Sequence, residues 1–179
     1  QQWVQQLGSA GNDAATSLAT DFLGNVYVAG ITDGSIGGPN AGSFDNFVIK
    51  YDATGAFQWV KQFGTSGLEA NPTITTLGLS VWLGGSTAGS LFGPNLGFWD
   101  VYVAKLDPFG NTTWSTQIGT SGFDTAFAST SDIGRVYFAG NTTGSFGGPH
   151  QGGDDAAIIA INALPPIPEP SGLALLACG

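Results

Sequence analysis

The chain has 179 residues, of which 29 are Gly and 9 are Pro, so about a fifth of its positions punctuate structure rather than extend it, which argues against long helices. Charged residues are only 9% and apolar residues 42%, enough apolar material for one folded core of this length. Four Lys and Arg against 13 Asp and Glu leave a net charge of −9, which excludes nucleic acid and anionic lipid as natural partners, because affinity for them is built from clustered cations. In chain order, the first predicted strand is Trp3-Val4-Gln5-Gln6, followed by Leu7-Gly8 and the turn residues Gly11-Asn12-Asp13. A second strand is predicted after Asp13, a third at Val26-Tyr27-Val28-Ala29-Gly30, then a loop with Pro39, and a fourth at Asp45-Asn46-Phe47-Val48-Ile49-Lys50.

The same order then returns twice. Trp59 and Trp114 open Trp-x-x-Gln again, and Val81-Trp82-Leu83-Gly84-Gly85 and Val136-Tyr137-Phe138-Ala139-Gly140 repeat the third segment. Pro39, Pro94 and Pro149 are 55 residues apart, twice, and the fourth segment recurs at Asp100 to Lys105 and Asp155 to Ala160. Asp52-Ala53-Thr54-Gly55 and Asp107-Pro108-Phe109-Gly110 join a fourth segment to the next Trp strand, each pairing an Asp that can bond its own backbone with a Gly that tolerates positive φ. Phe47 to Tyr51 and Tyr102 to Leu106 are apolar on both faces, so these sheets should be covered on both sides. Small residues at Ala29-Gly30, Gly84-Gly85 and Ala139-Gly140 point to close approach between sheets. The expected fold is all-β: three four-stranded antiparallel propeller-type blades of about 55 residues each, over residues 1–163, with residues 164–179 a Pro-rich linker and apolar tail.

Trp-x-x-Gln-apolar-Gly, Gly-x-Asp, Val-Tyr-Val-Ala-Gly and Asp-x-Phe-Val-x-Lys-x-Asp-x-x-Gly together resemble the bacterial SBBP beta-propeller repeat. The resemblance covers most of the chain and is densest over residues 24–67, with departures at Pro72, at Leu77-Gly78-Leu79-Ser80 and at Ala160 and Asn162. It implies a secreted bacterial repeat protein without catalysis. Ile167-Pro168-Glu169-Pro170 followed by Ser171-Gly172-Leu173-Ala174-Leu175-Leu176 resembles the start of a PEP-CTERM sorting signal. That resemblance implies export by a Gram-negative bacterium to its surface or surroundings, with contact to the membrane only through a missing or processed C-terminal signal.

Three blades are too few to surround an axis when ordinary propellers have about four to eight. Trp3, Val4, Gln5 and Gln6 have no preceding fourth segment to pair with, and Ala157, Ile158, Ile159, Ala160 and Ile161 receive no Trp strand. Open apolar edges invite pairing with another chain, so identical subunits are the expected partners, completing the blades by strand exchange in a ring or filament. Leu173, Leu175 and Leu176 are expected to dock the tail.

Other chemistry is weakly signalled. Cys178 and His150 are the lone Cys and His, too few for a structural zinc site, and His150 reads as a solvated loop residue. Without a Gly-x-Ser-x-Gly elbow or an isolated carboxylate pair, no enzyme is expected. Asp13, Glu69 and Asp124, with Asp45, Asp100 and Asp155, offer hard oxygen donors to calcium, but their repetition favours turn capping, and no cofactor is expected. Phe98-Trp99 stands where the other units have Ser43-Phe44 and Gly152-Gly153, and Trp99 is the candidate ligand contact. The expected function is a non-enzymatic extracellular structural protein that self-assembles through its terminal strands, with extracellular polysaccharide as a further candidate partner; the alternative is a lectin-like carbohydrate-binding module with three-fold repeat.

Overall fold

The computed structural model describes residues 2–163. The Pro-rich tail and the tail-docking leucines Leu173, Leu175 and Leu176 lie outside the described residues. Among the described residues there are strands and no helix. Sheet one contains β1 (Asp13–Thr20), β2 (Val26–Thr32), β3 (Asp45–Tyr51) and β4 (Phe57–Phe63). Sheet two contains β5 (Glu69–Leu77), β6 (Ser80–Thr87), β7 (Asp100–Leu106) and β8 (Thr112–Ile118), and sheet three β9 (Asp124–Asp132), β10 (Arg135–Thr142) and β11 (Asp155–Asn162). Each sheet is an antiparallel meander in sequence order. Sheet two lies between the others, with β5 packed on β1 on one side and on β9 on the other.

Two expectations need correction. Trp3 to Gln6 forms no strand, and sheet three has three strands rather than four among the described residues. The cause lies in how the sequence unit maps onto the sheet: the Trp segment that opens one unit is the outermost strand of the preceding unit's sheet. Trp59 lies opposite Lys50 in sheet one, and Trp114 opposite Lys105 in sheet two. Among the described residues Trp3 has no such partner strand, and a segment without a ladder leaves its backbone groups to water.

The turns follow from their residues. The Asp52 carboxylate accepts hydrogen bonds from the Thr54 and Ala56 amides and the Thr54 hydroxyl, with Gly55 at φ 85°. Asp107 accepts from the Phe109 and Asn111 amides and the Asn111 side chain, with Gly110 at φ 81°. Hydrogen bonds from Thr54 and Ala56 hold Asp52 below the ordinary carboxylate range, and those from the Asn111 side chain and backbone do the same for Asp107. Pro72, which cannot donate to a ladder, falls within a bulge in β5 between Ala70 and Thr73, where Asn71 takes φ 53°.

Packing between sheets is apolar and close. Tyr27, Ala29 and Val48 of sheet one meet Val81, Leu83, Tyr102 and Leu106 of sheet two in one buried cluster. Trp82, Val101 and Val103 meet Ala126, Val136 and Phe138 of sheet three in a second. Each such large apolar side chain contributes about 1.5–3 kcal/mol on burial. Gly84 makes room for Phe138: a Cβ there would stand 2.4 Å from the Phe138 ring, so the small-residue pattern does mark sheet contact at this position. Polar links add direction. The buried Tyr102 hydroxyl donates to the Asn46 side chain across sheets, and Lys50 Nζ and Trp59 Nε1 both donate to the Pro108 carbonyl, at 3.1 and 3.0 Å. Burial, reinforced by the charge of Glu69, pushes the Tyr102 hydroxyl well above the ordinary tyrosine range, so it acts as a neutral donor.

Candidate functional site

The two outer sheets carry the terminal segments that the sequence singled out for assembly. At the first end, Trp3 is half-exposed and Val4 is 70% exposed. Trp3 nevertheless has a fixed seat. Its ring centroid lies 6.2 Å from that of Tyr51, and a Cβ on Gly55 would touch it at 2.7 Å. Gln5 Nε2 donates to the Gly55 carbonyl at 2.9 Å. Trp59 and Lys61 cover Gly110 of sheet two in the same manner. The segment from Trp3 to Gln5 therefore sits on sheet one as the outer strand of a preceding sheet would. A groove of about 370 Å³ opens between this segment and the face bearing Val28, Phe47, Ile49 and Tyr51.

At the other end, β11 alternates half-buried and exposed residues, with Ala157, Ile159 and Ile161 turned toward sheet two and Ile158 and Ala160 outward. Ile158 is 75% exposed, whereas Val48 and Val103, its counterparts at the 55-residue spacing, are both 0% exposed. Phe127 of β9 is exposed on the same sheet, and Tyr137 and Ala139 border a cavity of about 180 Å³ on its outer face. The long edge of β11 has no ladder partner among the described residues. Unpaired amides and carbonyls on an apolar strand are a template for strand addition.

The acidic residues fall into two recurring sets, and both engage protein donors. Asp13, Glu69 and Asp124 accept from the amides of Ser9, Thr65 and Thr120 and from the hydroxyls of Thr32, Thr87 and Thr142. Burial opposes charge at Asp13, but the hydrogen bonds from Thr32 and Ser9 outweigh it and hold the carboxyl below its ordinary range. Asp45 and Asp100 accept from the Ala41 and Leu96 amides and from the side chains of Gln62 and Gln117. No three His, Cys, Asp or Glu side chains converge on one point among the described residues.

Gln62 and Gln117 have a role that sequence reasoning missed. Gln62 Oε1 accepts from the Ile36 and Gly37 amides, and its Nε2 donates to the Gly34 carbonyl and to Asp45. Gln117 makes the same four bonds to Leu91, Phe92, Gly89 and Asp100. Each outer strand is thus keyed into the Pro-containing loop of its own sheet. The signal was present in the repeated Trp-x-x-Gln, whose fourth residue never varies among the three units. His150 is also more than a solvated loop residue, since its Nδ1 lies 3.1 Å from Asp155.

Trp99 is half-buried, and its carbonyl accepts from the Asp124 amide at 2.8 Å, as the Phe44 carbonyl accepts from the Glu69 amide at 2.9 Å. Its neighbour Phe98 is the exposed ring, stacked on Phe123 with centroids 5.0 Å apart and planes 8° from parallel. Among the described residues no helix is long and apolar enough to cross a membrane. No curated protein matches the chain. Residues 2–38, which span the Trp3 segment, β1 and β2, match the family model for SBBP, a beta-propeller repeat.

Proposed function

We propose that the protein is a non-enzymatic structural subunit that assembles head to tail with identical copies, the outer face of sheet three of one copy seating on the outer face of sheet one of the next. The observation that carries this reading is the exposed Ile158, whose counterparts Val48 and Val103 are wholly covered by a neighbouring sheet. In the assembly, Tyr137, Ala139 and Ile158 take the cover that Tyr27, Ala29 and Val48 receive from sheet two, and the groove beside Phe47 and Tyr51 supplies it. The Trp3 segment becomes the fourth strand of the neighbour's sheet three by main-chain pairing. Such a contact joins different surfaces, so it gives a ring when the rotation closes and a filament when it does not. The resemblance of residues 167–176 to a sorting signal supports placement outside a Gram-negative cell. Electron microscopy and sedimentation of the full chain test the reading: rings or filaments that disappear in an Ile158→Lys variant support it, and a monomer at every concentration overturns it.

A second reading is favoured by the stacked, exposed Phe98 and Phe123, which present aromatic surface of the kind that packs on sugar rings. In that case an extracellular polysaccharide is the ligand, and glycan binding by the wild type that is lost in Phe98→Ala would establish it.

A further inference from the structure

We infer that the Pro-containing loop of sheet three is a receptor for a glutamine side chain, and that its ligand is Gln6 in the Trp-x-x-Gln segment of a second copy. This deepens the head-to-tail reading above and rests on it for the source of the strand. The argument starts from two filled examples of the same site. In sheets one and two a glutamine from the outer strand receives two loop amides, and donates to a loop carbonyl and to a buried aspartate. The 55-residue spacing assigns the corresponding groups in sheet three: the Phe146 and Gly147 amides, the Gly144 carbonyl and the Asp155 carboxylate. A cavity of about 290 Å³ stands there, lined by Gly144, Phe146 and Asp155 among others.

The Phe146 amide, the Gly144 carbonyl and the Asp155 carboxylate have other partners. The Phe146 amide donates to the Gly144 carbonyl at 3.0 Å, joining directly the donor and acceptor that a glutamine amide bridges in the other two sheets. His150 stands 3.1 Å from Asp155, where Gln62 and Gln117 approach Asp45 and Asp100. Gly147 takes φ 78°, whereas Gly37 and Phe92 at the same place do not have positive φ. The anchoring half of the site is already built, since the Gln151 amide donates to Asp155 at 2.8 Å as Ala41 and Leu96 do to their aspartates. Entry of Gln6 exchanges the Phe146–Gly144 bond and the His150–Asp155 contact for four bonds to one side chain. The exchange also fixes register. With Trp59 opposite Lys50 and Trp114 opposite Lys105, Gln6 reaches this loop only when Trp3 lies opposite Ala160 and Val4 opposite Ile159. A shift by one residue would turn Gln6 to the other face.

The test uses the full chain with a fluorescent peptide of residues Gln1 to Ala10 as probe. We expect saturable binding that weakens about tenfold or more with Gln6→Ala in the peptide, because four partners then lose their bonds. Gln5→Ala should change it less than about twofold, since Gln5 bonds its own copy's Gly55. His150→Asn in the chain, which restores the residue of the other two loops, should tighten binding. Register is read separately in a Cys178→Ser background: Val4→Cys with Ile159→Cys should give disulfide-linked multimers, and Gln5→Cys with Ile159→Cys should not. Equal binding of the wild-type and Gln6→Ala peptides overturns the receptor, as does assembly of a Gln6→Ala chain at the wild-type concentration. A chain that never assembles but binds the peptide through Gln6 keeps the receptor and removes the assembly reading. Absence of both binding and assembly removes the two together.

Discussion

Val103 in sheet two and Ile158 in sheet three hold the same place in the repeat, and the larger, more apolar side chain is the one in water. Sheet two has a neighbour on each face, so β7 is buried almost throughout, whereas β11 alternates between half-buried and exposed. The lesson is that one sequence pattern can yield a core strand or an open edge, according to what stands beside it. Apolar content identifies a strand that needs cover, and only the arrangement of sheets says whether the cover is present.

Substitutions and acid test this contrast. The largest effect is expected at the centre: Leu83→Ala, in the cluster shared by sheets one and two, should cost about 2–5 kcal/mol in chemical denaturation. Next, Gln117→Ala strips the Leu91 and Phe92 amides of their partner and should cost about 1–3 kcal/mol, giving the outer strand of sheet two the faster amide exchange of a frayed edge. Acid should narrow the difference between the sheets. Asp52 and Asp107 lie below the ordinary carboxylate range in the folded protein, so the stability they lend is present above that range and is lost as the pH falls through their folded values, below about pH 4. Asn162 replaces that aspartate in sheet three, so amide protection, corrected for the intrinsic exchange rate at each pH, should fall around the β3–β4 and β7–β8 turns as the pH drops while that of β10 holds. The smallest effect is expected for Ile158→Ala in the dilute chain, within about 0.5 kcal/mol, together with a clear rise in the concentration needed for assembly.

Much of this was legible in the sequence because repetition does the work of comparison. The strands after Asp13, Glu69 and Asp124, the Val-aromatic strands, the Asp-x-x-Gly turns and the cover over Phe47 to Tyr51 all follow from periodicity and turn chemistry. The error at Trp3 arose because a strand exists only when a ladder partner exists, and the residues themselves read as strand-forming. The keying role of Gln62 and Gln117 was hidden for a different reason. Their partners are main-chain amides about 26 residues earlier in the chain, and main-chain groups leave no mark in composition. The hydrogen bond from the Asp124 amide to the Trp99 carbonyl was hidden for the same reason.

The displacement of each outer strand into the preceding sheet also determines how the particle meets proteases. β4 is bonded along its length to β3, yet the chain runs on from it directly into sheet two. A single cut between Asp52 and Ala56 would therefore sever the polypeptide without separating its halves, because the second fragment begins with a strand held in the first fragment's sheet and clasped through Trp59 to its own Pro108 turn. The turn between β3 and β4 is thus a place where hydrolysis has little to release, and nicked subunits should keep their shape in surroundings rich in proteases.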